Sequence, residues 1–178
     1  MPLSTVHLVV IEDDDVDVES VVRSLNRNGI FGEITVFRDG LEALRALQQD
    51  SAFVHSRPLL ILLDLDLPRL NGLEFLDALR SDPRLRGITV FVLTLSDRVE
   101  DKLAAYDRQV AGYLLKSTLG ENFALLPKLL RSYCRLVAPS RPGLAALPPA
   151  TVPPQALSQT MPSAVQSGLP PGMQAGVS

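Results

Sequence analysis

The sequence predicts an α/β fold: a doubly wound, five-stranded parallel sheet with five helices distributed over its two faces. Three observations carry that expectation. Apolar, β-branched runs alternate along the chain with segments whose apolar residues recur near every 3.6 positions. The runs LLILL and ITVFVL have lost the two-residue alternation of a half-exposed strand, as strands buried on both faces do. Strand, helix, strand connections of this length cross over right-handedly, which makes the strands parallel.

The elements follow in order. VHLVVI at 6–11 is the first strand, and Val16, Val18, Val21, Val22 and Leu25 mark the first helix, which Asn28-Gly29 ends as a C-cap. EITVF at 33–37 is the second strand; Leu41, Ala43, Leu44 and Leu47 mark the second helix, with Asp39 read as its cap only. LLILL at 59–63 is the third strand and Leu73, Phe75, Leu76 and Leu79 mark the third helix. ITVFVLT at 88–94 is the fourth strand, and Val99, Leu103 and Tyr106 mark the fourth helix. AGYLLK at 111–116 is the fifth strand, and a fifth helix over 120–136 closes the domain, with Pro127 setting or kinking its start. In that helix Phe123, Leu126, Leu130, Tyr133 and Val137 form an inward stripe. Leu125, Leu129 and Leu136 form a second stripe that one buried face does not need, which makes them candidate interface residues together with Tyr106.

Composition bounds the function. The 178 residues carry 17 Lys and Arg against 20 Asp and Glu, a net charge of −3, so nucleic acids and acidic membrane surfaces are disfavoured partners. Cys134 alone allows neither an internal disulfide nor a cysteine zinc cage, and His7 and His55 are too few for a histidine metal site. A reducing cytoplasm fits best. Neither a signal peptide nor a run near the ~18 apolar residues of a membrane span is present. Nine of the 14 prolines fall in residues 138–178, beside one charge, Arg141, and no aromatic residue. Such a segment cannot bury enough surface to offset its ordering entropy, so residues 1–137 are read as the folded domain and 138–178 as a disordered tail.

In an open parallel sheet the ligand site lies beyond the carboxyl ends of the strands, where the winding order reverses. The first strand ends in Glu12-Asp13-Asp14, the third in Asp64-Leu65-Asp66, the fourth in Thr94 and the fifth in Lys116. Each acidic group taken alone is explained by helix capping. Four ionisable or hydroxyl groups converging on one edge are better explained by a site. Carboxylates this close need a cation, and an oxygen-only donor set suits Mg²⁺, which commonly keeps waters and holds phosphate oxygens. Thr94 and Lys116 supply the hydroxyl and ammonium that a phosphoryl group needs.

The segments VVIEDDDVD, LLILLDLDLPRLNGLEFL, VFVLTLS and VAGYLLK resemble, in order and spacing, the four motifs of the receiver domain of bacterial two-component response regulators. The combination ILLDLxLPxxNGxEFL followed by AYxxxVAGYxxK further resembles the stand-alone receivers associated with phytochrome-like and hybrid sensor kinases. The resemblance implies a flavodoxin-like sheet of order 2-1-3-4-5. It implies Asp64 as phosphoacceptor from a sensor histidine kinase or phosphotransfer protein, and a Mg²⁺ cofactor held by Asp13 and Asp64 directly, Glu12 through water and Asp66 through its backbone carbonyl. Thr94 and Lys116 would contact the phosphoryl group and Tyr113 would follow Thr94 by changing rotamer. Such a chain is a phosphoacceptor with its own phosphorylation and dephosphorylation chemistry, not a turnover enzyme.

Two positions depart from the family pattern: Ser117 stands where Pro usually follows the lysine, and Asp66 adds a carboxylate beside the phosphorylation site, where it is expected to alter phosphoryl lifetime. Two alternatives stay open. One is a haloacid-dehalogenase-type phosphohydrolase, whose DxD motif Asp64-Leu65-Asp66 imitates, although the acids here precede rather than follow the lysine. The other is a receiver-like docking module that works without phosphorylation. After residue 136 no helix-turn-helix pattern or basic patch follows, so output is expected through protein contact, including a homodimer on the face of the fourth helix, fifth strand and fifth helix.

Overall fold

A computed structural model of the protein describes residues 6–29, 32–50, 54 and 56–137. The expected tail at 138–178 and His55 lie outside the described residues. Five parallel strands, β1 (His7–Ile11), β2 (Glu33–Phe37), β3 (Leu59–Leu63), β4 (Thr89–Thr94) and β5 (Gly112–Leu115), form one sheet in the order β2-β1-β3-β4-β5. The register runs in step across its centre: Ile11 lies beside Phe37 on one side and Leu63 on the other. Winding reverses between β1 and β3, so the carboxyl ends of those two strands flank the switch point.

Alternate residues of the central strands feed two separate cores. Val9, Ile11, Leu59, Ile61, Leu63, Val90 and Val92 pack under α2 (Gly40–Gln49), α3 (Gly72–Ser81) and α4 (Val99–Asp107) through Ala43, Leu47, Phe75, Leu79 and Ala105. Leu8, Val10, Leu60, Leu62, Phe91 and Leu93 pack against α1 (Asp15–Arg27) and α5 (Leu126–Leu136) through Val21, Leu25, Leu126, Leu130 and Cys134. That two-sided burial is why the apolar runs of β1, β3 and β4 show no alternation.

Helix starts are set by side chains. Asp14 caps α1, accepting from Val16 N–H at 2.8 Å and Asp17 N–H at 2.9 Å. Asp39 caps α2, and Asn71 caps α3 in a reciprocal box with Glu74. Gly29, at φ 54°, ends the first helix in the left-handed conformation its sequence implies. The guanidinium of Arg80 donates to the carbonyls of Arg86, Ile88, Arg108 and Gln109 at 2.8–3.1 Å, fastening α3 to the loops that lead into β4 and β5.

Several expectations are corrected. The stripe marking the fourth helix does not face the core: Val99 and Leu103 are 64% and 61% exposed and Tyr106 is exposed too, while Ala105 is the buried residue. Three apolar residues identify the helix but not which face is buried, because a short helix seated by small residues leaves its larger ones to solvent. Val16 is likewise exposed at the start of α1. The fifth helix begins at Leu126, not 120, because Asn122 and Phe123 take positive φ and Pro127 favours a first turn. Phe123 is buried ahead of the helix, Cys134 replaces Val137 at the end of the inward stripe, and Leu129 packs against the core instead of standing clear of it. Asp39 is more than a cap, since it also pairs with Arg69 of the β3–α3 loop. Lys116 lies just past β5, opening a 3-10 turn, Lys116–Thr118, that contains Ser117.

His7 is buried, with Nε2 2.8 Å from Thr35 Oγ1, and burial raises the Cys134 thiol to about 11, so it is protonated at neutral pH.

Candidate functional site

The carboxyl ends of β1, β3, β4 and β5 open into a cleft of about 740 Å³ lined by Glu12, Asp13, Asp17, Asp64, Asp66, Thr94, Ser96 and Lys116, among others. Asp64 follows β3 and is buried. Its Oδ1 accepts from Leu65 N–H at 2.6 Å and from Asp66 N–H at 3.3 Å, while its Oδ2 accepts from Lys116 Nζ at 2.7 Å. The loop folds back tightly at Asn71-Gly72, where the Gly72 N–H donates to Leu65 carbonyl at 2.9 Å. A Cβ on Gly72 would stand 2.4 Å from the Asp64 carbonyl oxygen, so no side chain fits there.

Lys116, itself buried, reaches back under the strand ends. Its Nζ lies 2.7 Å from Glu12 Oε2, 2.7 Å from Asp64 Oδ2 and 2.8 Å from Asp17 Oδ2. Burial alone lowers an ammonium pKa, but hydrogen bonds to Asp17, Asp64 and Glu12 outweigh it and hold Lys116 above its ordinary value. Glu12 moves the other way from an ordinary carboxylate: burial raises it to about 7, against the pull of Lys116 and with the help of the Asp64 charge.

Glu12, Asp13 and Asp64 each bring a carboxylate oxygen within 4.8 Å of the others, and Asp13 faces solvent. Three hard oxygen donors, one of them open to water, suit Mg²⁺ better than a nitrogen- or sulfur-preferring metal. Asp66 is exposed at the rim of the same cleft.

Thr94, buried at the end of β4, accepts from Ser96 N–H at 3.3 Å. Ser96 is a junction: its hydroxyl donates to Asp101 of α4 at 2.6 Å, and its carbonyl accepts from Tyr113 hydroxyl at 2.9 Å. Tyr113 is thus turned inward against the α2–α4 core, apart from exposed Tyr106.

All the residues expected from the strand ends meet in one cleft, Tyr113 joining through Ser96. Sequence reading missed Asp17 and Ser96. Asp17 carried a usable signal: three residues after the Asp14 cap, in the first turn, its side chain leans toward the helix N-terminus and so toward the strand ends. Ser96 carried none, because loop shape alone brings it to Tyr113.

Residues 8–124 match the family model described as the response regulator receiver domain. The chain belongs to that family. It is 40% identical over 111 residues, 62% of this chain and 76% of the relative, to response regulator Rcp1 of a Synechocystis species. Two solved structures, each 33% identical, have the same fold. The phosphorylated cyanobacterial phytochrome response regulator RcpA has a TM-score of 0.61, covering 73% of this chain and 91% of its own. The Mn²⁺-bound form of response regulator Rcp1 has a TM-score of 0.60, covering 76% and 98%.

Proposed function

We propose that this receiver takes a phosphoryl group onto Asp64 from a phosphohistidine of a sensor kinase or phosphotransfer protein, with Mg²⁺ as cofactor, and signals through protein contact. The observation that carries the reading is the convergence of Asp64, Lys116, Thr94 and the Glu12–Asp13–Asp64 carboxylates in one open cleft. The metal-bound and phosphorylated states of the two similar structures support it. The family match favours it over the phosphohydrolase alternative.

A carboxylate oxygen of Asp64 attacks phosphorus; the P–O bond forms as the P–N bond to imidazole breaks, and the imidazole keeps the electron pair and takes up a proton. A bound Mg²⁺ would be held by the Glu12, Asp13 and Asp64 carboxylates, with the Asp66 backbone carbonyl as a further donor that the family resemblance implies. Mg²⁺, when bound, supplies positive charge against the transferring phosphoryl oxygens. Lys116 contributes the second positive charge, from a buried position where it acts more strongly than in water. Exposed Asp66 adds negative charge at the rim and shortens or lengthens phosphoryl lifetime.

Thr94 hydroxyl, turning to the phosphoryl oxygen, gives up its bond from Ser96 N–H. Because Ser96 also holds Tyr113 and Asp101, that change reaches α4 and β5. The exposed Leu95, Val99, Leu103 and Tyr106, with Leu125 and Leu136 of the neighbouring helix region, form the contact surface for a partner or a second copy. Among the described residues no helix is long and apolar enough to cross a membrane.

The test is intact mass after incubation with Mg²⁺ and a small acyl phosphate. One phosphoryl group added to the native chain and none to Asp64→Asn supports the reading. No adduct on the native chain supports the docking module instead.

A further inference from the structure

We propose that Asp17 is a positioning residue for Lys116: from the first turn of α1 it holds the ammonium beneath the strand ends, so that an N–H stays aimed at the group carried by Asp64. The proposal rests on the phosphoacceptor reading of Asp64 and adds a residue to that site.

An ammonium has three protons, and Lys116 has three carboxylate partners, at Glu12, Asp64 and Asp17. These partners are not equivalent. Glu12 and Asp64 belong to the trio that can share a cation, and Asp64 ceases to be a free carboxylate once it is modified. Asp17 lies outside that trio and on another element. It is therefore the partner that persists when the other two are engaged.

Its own placement is fixed. The Asp17 N–H donates to the Asp14 cap at 2.9 Å, and negative charge in a first helical turn is favoured by the helix dipole. The Asp17 side chain is 27% exposed while that of Lys116 is 5% exposed, so the carboxylate reaches in from the rim and keeps contact with water. Lysine carries its charge on a flexible four-carbon stem, and without an anchor the ammonium adopts other poses. A charge displaced from the transferring group stabilises it less.

The experiment compares the native chain, Asp17→Asn and Asp17→Glu. Phosphorylation of Asp64 by a small acyl phosphate is timed at saturating Mg²⁺, and the Lys116 ammonium resonance is recorded by NMR. Asp17→Asn is expected to slow phosphorylation by about tenfold and to broaden the ammonium resonance as proton exchange with water quickens. Asp17→Glu, which keeps the charge one methylene further out, is expected to fall between the two. An Asp17→Asn rate within about twofold of native, an unchanged ammonium resonance, or an Asp17→Glu rate no better than Asp17→Asn overturns the proposal. Should Asp17→Asn not fold, Asp17→Ser takes its place, and a rate and an ammonium resonance equal to native overturn the proposal. A native chain that takes up no phosphoryl group overturns the underlying reading of Asp64 instead.

Discussion

Replacing Lys116 by Met removes the charge that three carboxylates share and keeps the aliphatic stem. Glu12 and Asp64 are 2% and 6% exposed, so neither rehydrates easily, whereas the Asp17 side chain, at 27%, does. Removing one member of a buried charge cluster costs about 3–5 kcal/mol; the open cleft and the rehydration of Asp17 place Lys116→Met at the low end, about 3 kcal/mol at pH 8. The loss depends on pH. Glu12 titrates near 7 in the folded chain against 4.5 in the unfolded one, so the folded chain binds its proton more tightly. Its contribution to stability is therefore most favourable below pH 4.5 and falls as pH rises toward 7. Without Lys116 the folded value of Glu12 climbs further, and at pH 5 a neutral Glu12 reduces the cost of the substitution to roughly 1 kcal/mol. Urea unfolding of native and Lys116→Met chains at the two pH values, without metal, measures the difference. An equal loss at pH 5 and pH 8 would refute the assignment of Lys116 as the counter-charge of buried carboxylates.

Three further substitutions test other parts of the account. Asp13→Asn relieves like-charge crowding, so the metal-free chain unfolds at higher urea, while Mg²⁺ affinity measured by titration calorimetry drops about tenfold or more. Arg80→Met leaves four carbonyls without their shared donor and lowers urea stability by about 3 kcal/mol, with phosphorylation chemistry retained. Leu103→Glu changes stability by no more than about 0.5 kcal/mol, because the residue is solvent-exposed, yet abolishes phosphorylation-dependent association followed by analytical ultracentrifugation.

The strands were legible because burial on both faces imposes continuous apolar runs on β1, β3 and β4, while the partly buried edge strands β2 and β5 keep shorter apolar stretches between helical segments. Five strands so spaced leave few arrangements of the sheet. The strand-end residues followed from the same logic. Once β1, β3, β4 and β5 are parallel, Glu12, Asp13, Asp64, Thr94 and Lys116 share an edge wherever the helices pack. Orientation of α4 was not legible. Val99, Leu103 and Tyr106 have helical spacing, but only the tertiary contact at Ala105 decides which face is buried. Asp39 shows the same limit: its capping role is local, while its ion pair depends on Arg69 being carried across by the β3–α3 loop. The role of Tyr113 depended on a hydrogen bond to Ser96, formed by a loop whose course no periodicity encodes.

The central claim is that Asp64 carries the phosphoryl group. After incubation with Mg²⁺ and a small acyl phosphate, hydride reduction converts an aspartyl phosphate to homoserine, and peptide mapping locates it. The account predicts homoserine at position 64, formed only when Mg²⁺ is present. Homoserine at Asp13, Asp17 or Asp66 in its place, or conversion at position 64 that does not depend on Mg²⁺, would contradict it.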